Sequence, residues 1–333
     1  MTKWALFGGA GFIGQHLAFS VLNRSPEATV DLLDIQPRQD IRWKVPLKTY
    51  EDEGRLRVLH CDVRNSDLLK QHSADFDTIV NLAAIHRGPG HRPEEYFETN
   101  VKGAENICRF AEQTGCREIL FTSSISVYGV HDQAVDERSG PQPKTPYGQS
   151  KLEAENIHRS WAERTGGRLA IVRPGVVFGP GEGGNVSRLV SEMLKRDRKI
   201  RIRPDQTKAG IYIEELLDIV HWLRGRPVPQ GTPLVVNGVS NEILTFNDFG
   251  EALQEIRGFG QPPLTFPESL LKLGTAMLKP AGWFLPATSK VHPERLAKLT
   301  RANDIRPTRL IEAGYPFGWP LERALADWLD KGL

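Results

Sequence analysis

The chain has 333 residues, 39% hydrophobic and 25% charged, which allows one large or two interlocked domains and excludes a disordered or fibrous polypeptide. Its 43 basic and 41 acidic residues leave a formal charge of +2, so no global field gathers nucleic acid or an anionic membrane, and any phosphate recognition has to be local. Three cysteines, Cys61, Cys108 and Cys116, form neither a disulfide framework nor a metal-ligand cluster and suit a reducing compartment.

The apolar start, 4–14, has only Lys3 as a basic leader and is broken by four glycines, which is not the pattern of a secretory signal. It reads as a strand, 3–7, entering the turn Gly8-Gly9-Ala10-Gly11-Phe12-Ile13-Gly14. Residues without side chains let a backbone bend sharply and approach a pyrophosphate, whose charge then meets the free N–H groups of the following helix. A second strand, 29–34, closes on Asp34, twenty residues beyond Gly14. A carboxylate there accepts hydrogen bonds from ribose hydroxyls and repels a 2′-phosphate, which favours NAD; Arg38 and Arg42 keep NADP as the alternative. A third strand, 55–61, ends at Asp62-Val63, where Asp62 either reaches the adenine or caps the stretch 65–71.

A fourth strand, 78–82, leads into Leu82-Ala83-Ala84 and His86, a histidine within reach of a nicotinamide or substrate, or incidental to both. The first long helix, 93–114, opens with a proline and carries an apolar stripe of Phe97, Val101, Ala104, Cys108 and Ala111. The fifth strand, 118–122, delivers Ser123 and Ser124 to a strand's carboxyl end, where ligands of open α/β sheets bind. The second long helix, 146–165, presents Tyr147 and Lys151 at an i, i+4 spacing, hence on one face. Lowering a phenol from a pKa near 10 to 7 takes roughly 4 kcal/mol, part of which an adjacent ammonium supplies. With a sixth strand at 169–173, the rhythm predicts an α/β fold, a doubly wound parallel sheet of the Rossmann type.

After Arg173 the texture changes, with five glycines in 175–184. Asn185 is expected to cap a helix that faces a sugar diphosphate, and Lys208 either neutralises that diphosphate or is a solvated loop lysine. The basic cluster 195–203 reads mostly as a solvated face. A helix at 214–223 and a strand at 234–237 look like one more βα unit returning to the sheet. The predicted division is therefore 1–173 with 211–239 for the dinucleotide, and a smaller interleaved region, 174–210 with 240–333, for the substrate. The apolar run 270–285 carries Lys272, Lys279, Pro280 and two glycines, so no membrane span is expected and the expected location is cytoplasmic. No histidines and carboxylates have metal-ligand spacing, so no metal is predicted.

Taken together, the turn Gly8 to Gly14, Asp34, Asp62-Val63, Asn81 to Ala84, Asn100 to Gly103, Thr122 to Gly129, Tyr147 to Lys151, Arg173-Pro174 and Val177 to Gly181 make the chain resemble a known family. It is similar to the extended short-chain dehydrogenase/reductases, the NAD-dependent epimerase/dehydratase family, whose nucleotide-sugar members include UDP-galactose 4-epimerase. The resemblance covers residues 3 to about 215 and thins thereafter. It implies Tyr147 as the acid/base, Lys151 as the group that holds the ribose and lowers the tyrosine's pKa, and Ser124 as the binder of the reacting oxygen. It further implies cofactor contacts from Gly8, Gly11, Phe12, Ile13, Gly14, Asp34, Asp62, Val63, Leu82, Ala83 and Ala84, and a structural Asn100. A homodimer is implied through helices 93–114 and 146–165, which would offer the apolar stripe a partner besides the chain's own sheet.

Members that dehydrate resemble one another in an Asp-Glu after a Thr at the serine site; here the stretch is Ser124-Ile125-Ser126, which disfavours dehydration. The expected activity is a nucleoside-diphosphate-sugar C4 epimerase or 4-keto reductase, with Ser123, Ser124, His86, Asn185 and Lys208 as the substrate contacts. The family's commoner substrate residues are replaced at Arg173-Pro174-Gly175-Val176 and at Lys208-Ala209. Alternatives are a dehydrogenase of a steroid-like or other apolar alcohol and a non-catalytic NAD-binding module, the latter opposed by retention of Ser124, Tyr147 and Lys151 together.

Overall fold

The computed structural model describes residues 2–36, 47–72, 74–86, 91–131, 133–203, 206–227, 231–267 and 303–332. Arg38, Arg42 and the apolar run 270–285 lie outside the described residues. The chain opens with β1 (Thr2–Phe7), α1 (Phe12–Arg24), β2 (Ala28–Asp34), α2 (Leu47–Asp52), β3 (Leu56–His60), α3 (Ser66–Lys70) and β4 (Thr78–Asn81). It continues with α4 (Pro93–Tyr96), α5 (Lys102–Thr114), β5 (Glu118–Thr122), α6 (Pro146–Thr165) and β6 (Arg168–Pro174). The second half adds β7 (Val176–Phe178), α7 (Asn185–Arg196), β8 (Ile200–Arg203), β9 (Thr207–Lys208), β10 (Gly210–Tyr212), α8 (Ile213–Arg224), β11 (Leu234–Gly238), β12 (Leu244–Thr245), α9 (Phe246–Arg257) and β13 (Leu264–Pro267).

Seven strands form one parallel sheet in the order β11-β6-β5-β4-β1-β2-β3. Side chains alternate across it because successive Cβ atoms point to opposite faces. Leu6, Leu32, Val80, Leu120 and Ala170 meet α1 and α8 on one face, while Phe7, Leu33, Ile79, Phe121 and Ile171 meet α5 and α6 on the other. Both faces are covered, so the strands read as nearly continuous apolar runs, and each fully buried Leu or Phe contributes about 2 kcal/mol. The order reverses between β1 and β4, the switch point where open α/β sheets hold ligands beyond their carboxyl ends.

Beyond β6 the chain builds two-stranded pairs outside the sheet: β7 with β10, β9 with β12 and β8 with β13. The unit α8–β11 then returns, β11 lying parallel to β6 with Val235 opposite Ile171. A third cluster, including Ile125, Val127, Tyr128, Ala209, Val239 and Ile305, packs the loop after β5 against this second half.

Two local expectations are corrected, and for Ala104, Cys108 and Ala111 the expected packing on the chain's own sheet is found, since they belong to the same buried cluster as Phe7, Ile79 and Ile119. The helix over 93–114 is interrupted by a π turn at Phe97–Val101 between α4 and α5. Asp62 is not the cap of α3, because the Asn65 carboxamide oxygen accepts from the N–H groups of Asp67 and Leu68.

Candidate active site

Beyond the carboxyl ends of the strands opens a cavity of about 590 Å³. Every residue expected at the cofactor lines it: Gly8, Gly11, Phe12, Ile13, Gly14, Asp34, Asp62, Val63, Leu82, Ala83, Ala84, Tyr147 and Lys151. The glycine turn is built for close approach. Gly8 has φ +74°, and a Cβ there would lie 2.6 Å from the Ala83 nitrogen. Gly11, at φ −74°, is in a conformation open to any residue, and a Cβ on it would meet only the Gly8 carbonyl, at 3.3 Å. Gly11 itself lines the cavity. Asp34 is oriented by two backbone donors, Ala10 N–H at 3.1 Å and Gln36 N–H at 3.0 Å, which turn its carboxylate to the glycine loop. Asp62 grips Arg64, at 2.7 Å to Nη2, and that cation holds the carboxyl below its usual range. Arg64 also lines the cavity, a residue sequence reasoning missed because only the folded chain aligns it with Asp34.

Ser124, Tyr147 and Lys151 line the same cavity, and the Tyr147 phenol hydrogen-bonds with Ser124. Thr145 caps α6 by accepting from Gly148 N–H at 3.1 Å, and Gly148 lets the first turn of α6 abut the Ser126 carbonyl, which a Cβ would approach to 2.5 Å. That contact brings Tyr147 against the short helical turn Ile125–Tyr128, which Ser124 caps through Ser126 N–H at 3.1 Å. Asn100, on the π turn, clasps Ile85 through both backbone groups, at 2.9 and 3.2 Å, and donates to Ser150 at 2.9 Å. It thereby ties the loop after β4 to α6.

The electrostatics of the pair differ from the expectation that Lys151 lowers the tyrosine's pKa. Burial raises the Tyr147 phenol above its ordinary value, opposed by a hydrogen bond with Ser124. Burial also pushes the Lys151 ammonium down to about 7, with Glu155 acting in the opposite sense. Desolvation dominates at both groups, and Lys151 Nζ lies 4.3 Å over the ring of Phe121.

The substrate side departs further from expectation. Ser123 lines the cavity, but its hydroxyl donates to Glu155 at 2.6 Å, inside a buried ion pair. His86 lies exposed on the cavity wall. Asn185 is the first residue of α7 rather than its cap, is exposed, and does not line the cavity. The carboxylate at that helix start belongs to Glu182, which accepts from Ser187 N–H at 3.1 Å and does line the cavity. Lys208 stands apart: it pairs with Leu244 across β9 and β12, packs its ammonium 5.3 Å over Phe246, and is pushed down to about 8 by burial. In the basic cluster, Lys199 and Arg201 both pair with Glu251. Thr99, Pro174, Gly175 and Val177 complete the wall. Pro174, Gly175 and Val177 fall in the stretches already singled out in the sequence, whereas Thr99 is marked only by its place beside Asn100.

A sequence model of the NAD dependent epimerase/dehydratase family matches residues 4–237. The chain belongs to that family. It is 28% identical over 266 residues, covering 79% of this chain and 80% of the relative, to N-acetyl-alpha-D-glucosaminyl-diphospho-ditrans,octacis-undecaprenol 4-epimerase of Escherichia coli O157:H7. It is 24% identical over 328 residues, covering 90% of this chain and 72% of the relative, to 3beta-hydroxysteroid-dehydrogenase/decarboxylase isoform 1 of Arabidopsis thaliana. In fold it is similar to the UDP-glucuronic acid 4-epimerase of Bacillus cereus, a structure holding UDP-glucuronic acid and NAD, with a TM-score of 0.73, 21% identity, and coverage of 99% of this chain and 98% of that one. Among the described residues no helix is long and apolar enough to cross a membrane.

Proposed function

We propose that this protein is an NAD-dependent 4-epimerase of a diphosphate-linked sugar, a nucleoside-diphosphate sugar in the first instance. One observation carries the reading: a single cavity beyond the carboxyl ends of the strands is lined both by the glycine turn and Asp34 and by Ser124, Tyr147 and Lys151. The residues fit the cofactor, since the cradle at Gly8 and Gly11 admits a backbone-bound pyrophosphate and Asp34 is oriented for ribose hydroxyls. The bound nicotinamide supplies hydride uptake and return at the sugar's C4. Ser124 holds the C4 oxygen, and Tyr147 removes its proton in one direction and restores it in the other. Lys151, buried one helical turn from Tyr147, would hold the ribose. Epimerisation fits better than dehydration because Ser124-Ile125-Ser126 brings no carboxylate to a leaving hydroxyl. Asp34 favours NAD over NADP.

The test is turnover of UDP-glucose, UDP-glucuronic acid and UDP-N-acetylglucosamine without added cofactor, with mass spectrometry of ligands released from the native protein. Tyr147→Phe should lower kcat by roughly 10²- to 10⁴-fold while dinucleotide binding persists. Unchanged activity in that variant would overturn the assignment, and stoichiometric consumption of NADH would make the enzyme a reductase instead.

We also infer a homodimer through α5 and α6. Between them runs a groove lined by charged residues such as Glu105, Arg109 and Arg164 and by the apolar Cys108, Ile157 and Trp161, which supports an interface of mixed character. Light scattering should give twice the 37.3 kDa chain mass, and a monomer at micromolar concentration would refute this. The division of labour we infer is residues 1–173 with 211–239 for the dinucleotide and 174–210 with 240–333 for the sugar. A cytoplasmic location is consistent with three buried free thiols.

A further inference from the structure

Behind the catalytic residues lies a buried ionic cluster that the reaction scheme does not use. Glu155, on α6 one turn beyond Lys151, has no exposed surface. Its Oε1 accepts from Arg173 Nε at 2.8 Å and from Ser123 Oγ at 2.6 Å, and its Oε2 accepts from Arg173 Nη2 at 2.7 Å. Arg159 approaches the same carboxylate at 3.4 Å. Arg173 closes β6 and also donates to the Tyr128 hydroxyl at 2.9 Å, which in turn donates to Asn237 of β11 at 2.8 Å. One carboxylate thus joins the ends of β5 and β6 to the helix that carries Tyr147 and Lys151.

We propose that Glu155 is a positioning residue: clamped by Arg173 and Ser123, its carboxylate holds the strand end bearing Ser124 in register with the helix bearing Tyr147 and Lys151. The proposal rests on the assignment of those three residues to proton transfer. A bidentate guanidinium fixes direction as well as distance, and Ser123 is covalently next to Ser124, so a slip of the clamp is a slip of the reacting oxygen's holder. Glu155 has a second effect, because its negative charge, one helical turn away, favours a Lys151 ammonium that burial disfavours. Among the described residues, the other titratable or charged groups around Lys151 are Tyr147 and His158 on its own helix, Tyr96 of α4 against Tyr147, and Arg173 of β6, already held on Glu155; β5 contributes Phe121, and Ser123 and Ser124 follow its end.

Removing Glu155 alone would strand the buried Arg173, so the informative change replaces both charges at once. The double variant Glu155→Gln, Arg173→Met and the single variant Ser123→Ala are compared with the full-length wild type for thermal unfolding, dinucleotide binding, kcat, KM and the pH profile of kcat. In the double variant kcat should fall about 10-fold or more, with dinucleotide binding retained, and the pH profile of kcat should shift because the charges around the Lys151 ammonium have changed. Ser123→Ala should lower kcat by about 3-fold or more with KM within about twofold. A folded double variant with the wild-type kcat and pH profile would overturn the proposal and leave the pair a packing device. Should that variant not fold, Ser123→Ala decides, and wild-type kcat there overturns the proposal equally. Loss of activity in Tyr147→Phe with no effect here sinks the positioning role alone; full activity in Tyr147→Phe sinks the assignment beneath it.

Discussion

Two glycines only three residues apart do different work, and substitution separates them. Gly8→Ala places a Cβ against the Ala83 backbone at a left-handed φ, so it should destabilise the fold by about 2 kcal/mol, read as a lower unfolding midpoint. Gly11→Ala meets only the Gly8 carbonyl, at 3.3 Å and with an ordinary φ, so it should lower the midpoint much less than Gly8→Ala while weakening NAD binding by about 10-fold, measured by calorimetry. Equal loss of stability in both would show that Gly11 is needed by the fold rather than by the ligand. Residues of this kind were legible in the sequence because their constraint is local: a turn, a spacing of three, a helical i, i+4 pair. Asn185, Lys208 and Ser123 were not, because each side chain's partner comes from elsewhere: Glu182 takes the helix start, Phe246 takes the ammonium and Glu155 takes the hydroxyl.

Among the elements, α6 is the one on which activity should depend most steeply. Its start is held by the Thr145 cap, and Thr145→Ala should cost about 1 kcal/mol and loosen the turn that carries Tyr147. Thr145→Ser, which keeps the hydroxyl, should restore both stability and kcat; failure to restore either would place the role in the methyl group. The bounds of α6 and β5 could be read from the sequence because proline, a capping threonine and an apolar run mark them directly. The π turn at Phe97–Val101 could not, since the contact it accompanies, Asn100 with Ile85, spans fifteen residues of chain and no linear pattern marks it.

For the molecule as a whole, the clearest pH dependence lies in two histidines packed inside it. His16 and His158 are 1% and 0% exposed, and burial pushes each down to about 4. A group whose folded pKa is below its unfolded value of about 6.5 is protonated first in the unfolded chain, so stability falls as pH drops from 6.5 towards 4. The loss is on the order of 3 kcal/mol per histidine at the bottom of that window. Unfolding midpoints taken between pH 7 and 4 should decline, and His158→Phe should flatten part of the decline; a midpoint unchanged from 6.5 to 5 would contradict this. At this scale the sheet order was foreseeable from the alternation of strands and helices. The ion pair of Glu155 with Arg173 was not, because nothing in a linear pattern marks which two distant charges will be sealed together.

The π turn also bears on how this chain tolerates insertions and deletions. A π turn holds one residue more than regular helix, and each residue in an α-helix turns the path by about 100°. Losing one residue from Phe97–Val101 would let the whole of 93–114 run as uninterrupted α-helix, a local relaxation, yet it would swing α4 and Asn100 out of phase with α5. Length variation at this site is therefore expected to be silent in helix content and severe in turnover, which makes it a place where circular dichroism and enzyme assays part company.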